Sequence, residues 1–193
     1  MNISKVALCF GCFGSMSFAQ ATFIGFDDVA NGTVVTNQYA GVTFSSNSGS
    51  DNRAYNFTTG NTAPNILCTF TGGQIDCVHD TILDFVTPVN NLTFWAIEPN
   101  TTLNAANFEV YQNGIFTTTV PMLGLGGLGN KFVNLSGLAN ITKLRIVIDA
   151  NEAGSQGGIG WDSFSFDAVP EPASVTAFLF GGIAFLGRKS RKA

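Results

Sequence analysis

The sequence predicts an all-β domain, a two-sheet antiparallel sandwich or jelly roll, and three observations predict it. Short runs of β-branched and aromatic residues recur from Thr22 to Ala168, bounded by Gly, Asn, Asp and Pro. No part of that span repeats its apolar residues at the spacing of an amphipathic helix. Two dipeptides between such runs, Gly72-Gly73 and Asn113-Gly114, carry the chemistry of tight hairpin turns.

Strands are expected near Thr22–Phe26, Val42–Phe44, Ala54–Phe57, Ile66–Phe70, Gln74–Val78 and Ile82–Val86. More are expected near Leu92–Ile97, Asn107–Gln112, Ile115–Val120, Lys131–Leu135, Lys143–Asp149 and Gly160–Phe166. About a dozen short strands without a helix fit two packed sheets better than any layered α/β plan. Asn113-Gly114 suits a turn with positive φ at both central positions and pairs Tyr111 with Phe116 and Val110 with Thr117.

The Gly72-Gly73 turn pairs Phe70 with Ile75 and Cys68 with Cys77. Counting outward, the second pair is non-hydrogen-bonded, with Cα atoms ~4.5 Å apart and within reach of a disulfide. Ile66, Cys68, Phe70, Ile75 and Cys77 then share an apolar face, and Thr69, Thr71, Gln74 and Asp76 a polar one. Cys9 and Cys12 lie in the leader, so a Cys68–Cys77 disulfide is expected in an oxidising compartment. Two buried free thiols are the alternative.

Both ends differ in kind from this domain. Lys5 precedes an apolar run from Val6 to Phe18, and small residues around Ala19-Gln20-Ala21 follow, as in a secretory signal peptide over residues 1–21. The domain is assigned to residues 22–168, long enough for its own core. It holds twelve acidic side chains against four basic, a formal charge of −8. Phosphate-backbone binding needs the opposite balance, so nucleic acid is excluded as a partner.

Residues 169–193 combine Pro170-Glu171-Pro172, an uncharged apolar run from Ala173 to Gly187, and the basic cluster Arg188, Lys189, Arg191 and Lys192. The prolines interrupt any helix or strand and expose the linker. The apolar run would rise ~22 Å as a helix, short of a full bilayer core, and the basic end holds its terminus in the cytoplasm.

These three features, in this order, resemble the PEP-CTERM sorting signal of Gram-negative bacteria. The resemblance implies processing by signal peptidase and exosortase, transient residence in the inner membrane, and delivery to the cell surface or extracellular matrix beside exopolysaccharide. An ordinary tail anchor is the alternative. Phe26-Asp27-Asp28, Gly41-Val42-Thr43-Phe44 and the closing Gly160-Trp161-Asp162-Ser163-Phe164-Ser165-Phe166 resemble secreted galactose-binding-like jelly rolls. That fold often binds sugars, but a fold alone does not assign a function.

No catalytic residue is expected. His79, the sole histidine, falls opposite Ile66 at the hairpin's end, and both mature cysteines are committed. Gly124 to Gly129 matches G-x-G-x-x-G literally, but a strand follows where a dinucleotide site needs a helix, so it reads as a loop. Asp149, Asn151 and Gly154 imitate an EF-hand opening, yet Ala153 and Gly160 occupy ligand positions, which rules that motif out. Asp27 and Asp28 should lie near Asp162 if first and last strands are neighbours; they are either turn caps or ligands of a structural calcium. For sugar stacking Trp95, Trp161, Tyr39, Tyr55 and Tyr111 are candidates. Trp95 is expected in the core, and Trp161 is the ring singled out for ligand binding. The leading expectation is a non-enzymatic surface or matrix protein; the alternatives are a carbohydrate-binding module for exopolysaccharide and an extracellular hydrolase.

Overall fold

The computed structural model describes residues 21–169 apart from 48, 59, 128 and 154–157. The signal peptide expected over 1–21 (save its last residue), and the sorting motif, apolar run and basic cluster after Val169, lie outside the described residues. Among the described residues eleven strands form one antiparallel sheet that folds over itself into two layers. They are β1 (Ala21–Ile24), β2 (Val42–Ser45), β3 (Asp51–Asn56), β4 (Asn65–Thr71), β5 (Gln74–Ile75) and β6 (Thr81–Ile97). After these come β7 (Asn104–Gln112), β8 (Ile115–Leu123), β9 (Asn130–Asn134) and β10 (Ile141–Ile148). A single helical turn, α1 (Ala150–Ala153), precedes β11 (Gly160–Ala168). Among the described residues no helix is long and apolar enough to cross a membrane.

The fold turns on β6. Its opening stretch, Thr81 to Phe85, pairs with β2 and β10, and β10 continues to β7 and β8. At Val89 it still meets Ile141 of β10, but from there to Ile97 it pairs with β11, joined from Thr93 by β9, and β11 leads on to β4 and β3. Pro88 and Asn91, whose φ is 55°, lie at the changeover. A proline donates no ladder bond and an asparagine tolerates the left-handed region, so the strand bends there. The sequence alone reads as two strands here, because the Pro88–Asn91 stretch looks like a break.

The core fills the space between the layers. Phe108 of β7 meets Phe94 of β6 and Trp161 of β11 with ring centroids 5.3 and 6.1 Å apart, all three essentially inaccessible. Burial of such rings removes the largest apolar areas from water and adds edge-to-face attraction. Strand alternation is clean: Ala54 and Leu67 enter the core, while their neighbours Tyr55 and Ile66 point to the opposite face of the second layer.

The two hairpins follow the expected turns with one change each. Tyr111 pairs with Phe116, but Val110 pairs with Thr118, because the ladder shifts register between Val110 and Tyr111 and leaves Thr117 as the extra residue of a bulge. Phe70 pairs with Ile75, after which β5 ends; Cys77 takes a φ of 48° and both Asp76 and Cys77 donate to the Thr69 carbonyl. The Cys68–Cys77 disulfide forms across this irregular end, with Cα atoms 4.9 Å apart.

Candidate functional site

The outer face of the second layer carries a second, smaller apolar layer. Ile66, Cys68, Cys77 and Ile97 are almost inaccessible, yet none belongs to the core cluster between the sheets. They are covered from outside, and the cover is incomplete. A cleft of about 510 Å³ opens above Ile66, Ile97 and Gly160.

Each wall has a local cause. Tyr55 points outward from β3 by strand alternation, and Phe57 follows just beyond the strand, their rings 6.3 Å apart and half-buried. Phe70 backs Tyr55 at 5.9 Å, with the Arg53 guanidinium 5.4 Å over its face. A second wall is the strand-less chain from Asp76 to Val78, fixed by the disulfide. Gly158 seals it: at φ 64° an added Cβ would lie 2.1 Å from the Cys77 carbonyl oxygen, so only glycine lets the two backbones touch. The neighbouring Ile159 N–H donates to that same carbonyl at 2.9 Å.

The third wall runs from Glu98 to Asn100. Glu98 holds a φ of 54°, and its N–H donates to the Gly129 carbonyl. Glu152, in α1 and fully buried, accepts the N–H groups of Asn100 and Thr101 on its two oxygens, each at 2.8 Å. Asp149 receives the Asn151 N–H just ahead of α1, which caps that turn. The chain that imitated an EF-hand is thus a prop for the cleft wall. Sequence reasoning missed Glu152; a lone acid among small residues was its only signal.

Every charged group lining the cleft is acidic. Asp76 accepts the Thr69 hydroxyl at 3.2 Å and lies 3.1 Å from His79 Nε2, while Glu98 lines the opposite side. His79 departs from its expected place, since β5 ends at Ile75 and β11 takes over that side of β4, with Trp161 paired to Leu67. Instead its N–H reaches the Thr69 hydroxyl, beside the disulfide.

The aromatic candidates are redistributed. Trp161 is 1% exposed and packed against Phe94 and Phe108, so it has no free face and does not serve as a stacking platform. Trp95 is the reverse: it lies half-buried on the outer face, opposite Phe132, rather than in the core. The parity of β6 explains it, because Phe94 and Ala96 take the inward positions. Tyr39 packs edge-on against Phe26 and donates to Asp28 at 2.6 Å; burial first, then that carboxylate, push its phenol well above the usual value. Tyr111 lies beneath the Lys143 ammonium, which pairs with Asp84. Tyr55 alone of the five reaches the cleft.

The calcium expectation fares differently from its premise. β1 does pair with β11, and Asp27 is close enough to Asp162 for its charge to act on it. Yet the carboxylates are taken by protein donors: Asp27 accepts the Asn65 N–H, Asp28 the Tyr39 hydroxyl, and Asp162 the N–H and hydroxyl of Thr62 and the N–H of Ser163. Among the described residues no three acidic, histidine or cysteine side chains gather as a metal site. These protein donors make the aspartates anchors of the turns around them.

No protein-family model matches the chain, and no curated protein matches it. Solved structures of similar course include the K2 cleaved adhesin domain of Lys-gingipain, at 14% identity over 76% of this chain and 97% of that one, TM-score 0.46. The K3 cleaved adhesin domain of Lys-gingipain from Porphyromonas gingivalis w83 is 10% identical over 72% and 100%, TM-score 0.43. CBM51 from Clostridium perfringens GH95, in complex with methyl-galactose, is 11% identical over 76% and 100%, TM-score 0.31. All are remote likenesses, so the functional reading rests on this chain's own residues.

Proposed function

We propose that the protein is an exported, non-catalytic surface or matrix component whose sandwich binds a neutral glycan in the Tyr55–Glu98 cleft. One observation carries it: half-buried rings at Tyr55 and Phe57 line an apolar floor together with the oxygen-bearing groups of Asp76, Glu98 and Asn100. A pyranose offers an apolar C–H face to a ring and hydroxyl donors at its rim, which is the complement of that arrangement. The cleft volume lies within the range of small-molecule sites, ~300–1,000 Å³. Two carboxylates also disfavour acidic sugars, since burying like charges together is costly.

Export is supported by the sequence alone: a leader with a small-residue cleavage site, and the Pro170-Glu171-Pro172 segment with its apolar run and basic end. Signal peptidase and exosortase are the proposed processing partners, and exopolysaccharide the proposed glycan source. A disulfide in the domain suits an oxidising compartment. Hydrolysis is the second reading, because Asp76 and Glu98 both line the cleft and glycosidases work with a carboxyl pair.

A glycan array probed with the secreted protein and with Tyr55→Ala tests the binding half. Specific signal on neutral glycans, lost in the variant, is expected; silence across the array overturns it, and release of shortened glycan moves the reading to hydrolysis. Intact mass of protein from the native host tests sorting. A chain ending near Pro172 is expected, and retention of the residues beyond it argues against exosortase.

A further inference from the structure

We infer that the binding site continues past the cleft onto a shelf made by Trp95 and Phe132, so that the ligand is a glycan chain several residues long rather than a single sugar. This rests on the glycan reading of the cleft.

The register of β6 and β9 carries the inference. Ile97, a floor residue of the cleft, pairs with Asn130; two residues back on the same face Trp95 pairs with Phe132, and two further back Thr93 pairs with Asn134. Residues alternating along a strand share a face and stand ~7 Å apart, so cleft and shelf follow one another along β6. The Trp95 and Phe132 rings lie 5.3 Å apart, with Phe132 49% exposed. Rings at neighbouring positions, with amides at Asn130 and Asn134 and a hydroxyl at Thr93, alternate stacking surface with hydrogen-bonding groups.

Charge selects the occupant. The outward residues of the two strands here are all uncharged, in a domain whose formal charge is −8. Lys131, the cation of β9, falls on the alternate parity and donates to the Leu123 carbonyl at 2.5 Å, so it does not serve the shelf. A neutral polymer meets no electrostatic penalty on this strip, whereas an acidic polysaccharide would meet the carboxylates at the cleft end. A folded protein partner needs ~800 Å² from each side, far more than two partly covered rings supply.

The experiment titrates gluco-, manno- and galacto-oligosaccharides, as disaccharides and as hexasaccharides, into the secreted protein and three variants by calorimetry. In the series that binds, the wild-type protein should prefer the hexasaccharide by about tenfold or more. Trp95→Ala and Phe132→Ala should each weaken the hexasaccharide by about tenfold and leave the disaccharide unchanged, while Tyr55→Ala weakens both. Phe132 is half exposed, so its variant keeps the test usable if Trp95→Ala fails to fold, which a thermal melt reveals. Equal affinity for both lengths, or a hexasaccharide indifferent to both shelf variants, overturns the shelf and leaves the cleft standing. Loss in the shelf variants with no effect of Tyr55→Ala overturns the cleft instead, and no binding in any series overturns both.

Discussion

Thr62 donates its backbone N–H to Asp162 Oδ2 at 2.7 Å and its hydroxyl to Oδ1 at 3.0 Å, a contact between residues 100 apart in the chain. Ser163 N–H adds a third donor at 2.6 Å, and the carboxylate is fully buried. The loop leading into β4 is thereby fastened to the middle of the outer face, between the cleft and β1.

Replacing Asp162 by Asn keeps the shape but turns an amide N–H₂ toward donors. A cost of roughly 1–3 kcal/mol is expected for the donor left unanswered. Burial, with Asp27's charge adding to it and the three donors opposing it, holds the Asp162 carboxyl above its ordinary value. The folded chain therefore binds this proton more tightly than the unfolded chain, and through this group stability rises as pH falls toward about 4. Asparagine does not titrate, so denaturant melts from pH 7 downward should show the deficit of Asp162→Asn widening. A deficit that narrows toward acid contradicts the assignment.

Glu152 is the prop of the Glu98–Asn100 wall. Glu152→Ala removes both acceptors and should speed amide exchange at Asn100 and Thr101 while lowering stability by roughly 1–3 kcal/mol. Glu152→Gln retains one carbonyl acceptor and should lose less. Exchange rates at those two amides that match wild type would show that the wall stands without it.

Opening the Cys68–Cys77 bond, by reductant or by a Cys68→Ser, Cys77→Ser double variant, should cost about 2–3 kcal/mol for a loop this short. It should also loosen the Asp76–Val78 wall, since the Cys77 carbonyl is the partner of Ile159. Paired thermal melts with and without reductant measure the first effect, and oligosaccharide affinity the second. Coincident melts would mean that the bond constrains nothing the fold needs.

Local chemistry made the strands legible, and less so the way their faces are used. The Gly72-Gly73 turn fixed a register that led to the disulfide, because a two-residue turn leaves no freedom in the first pairs. Thr117 shows the limit of that argument: a bulge in the β7–β8 ladder shifts the register just beyond the first pairs, which the turn does not foretell. The two tryptophans show a different limit. Trp95 lies in an apolar run and Trp161 beside Asp162 and Ser163, yet the parity of β6 and β11 puts the second ring inside and the first outside. Alternation between buried and polar residues fails as a guide where Ile66 and Ile97 are hidden beneath a second layer. Tyr55 was readable as an exposed aromatic, whereas Phe57, Glu98 and Glu152 came together through pairings far apart in sequence.

β11 begins at the cleft floor with Gly160 and ends at Ala168, hydrogen-bonded along the way to β6 and, over its later half, to β1. Tension applied to the chain beyond Val169 would enter at the far end of this strand and run lengthwise toward the cleft. Two flanking ladders would have to slide in shear together before the strand could be drawn out, rather than unzip rung by rung. A protein held at its tail while gripping a polymer would meet the tug in shear along this strand.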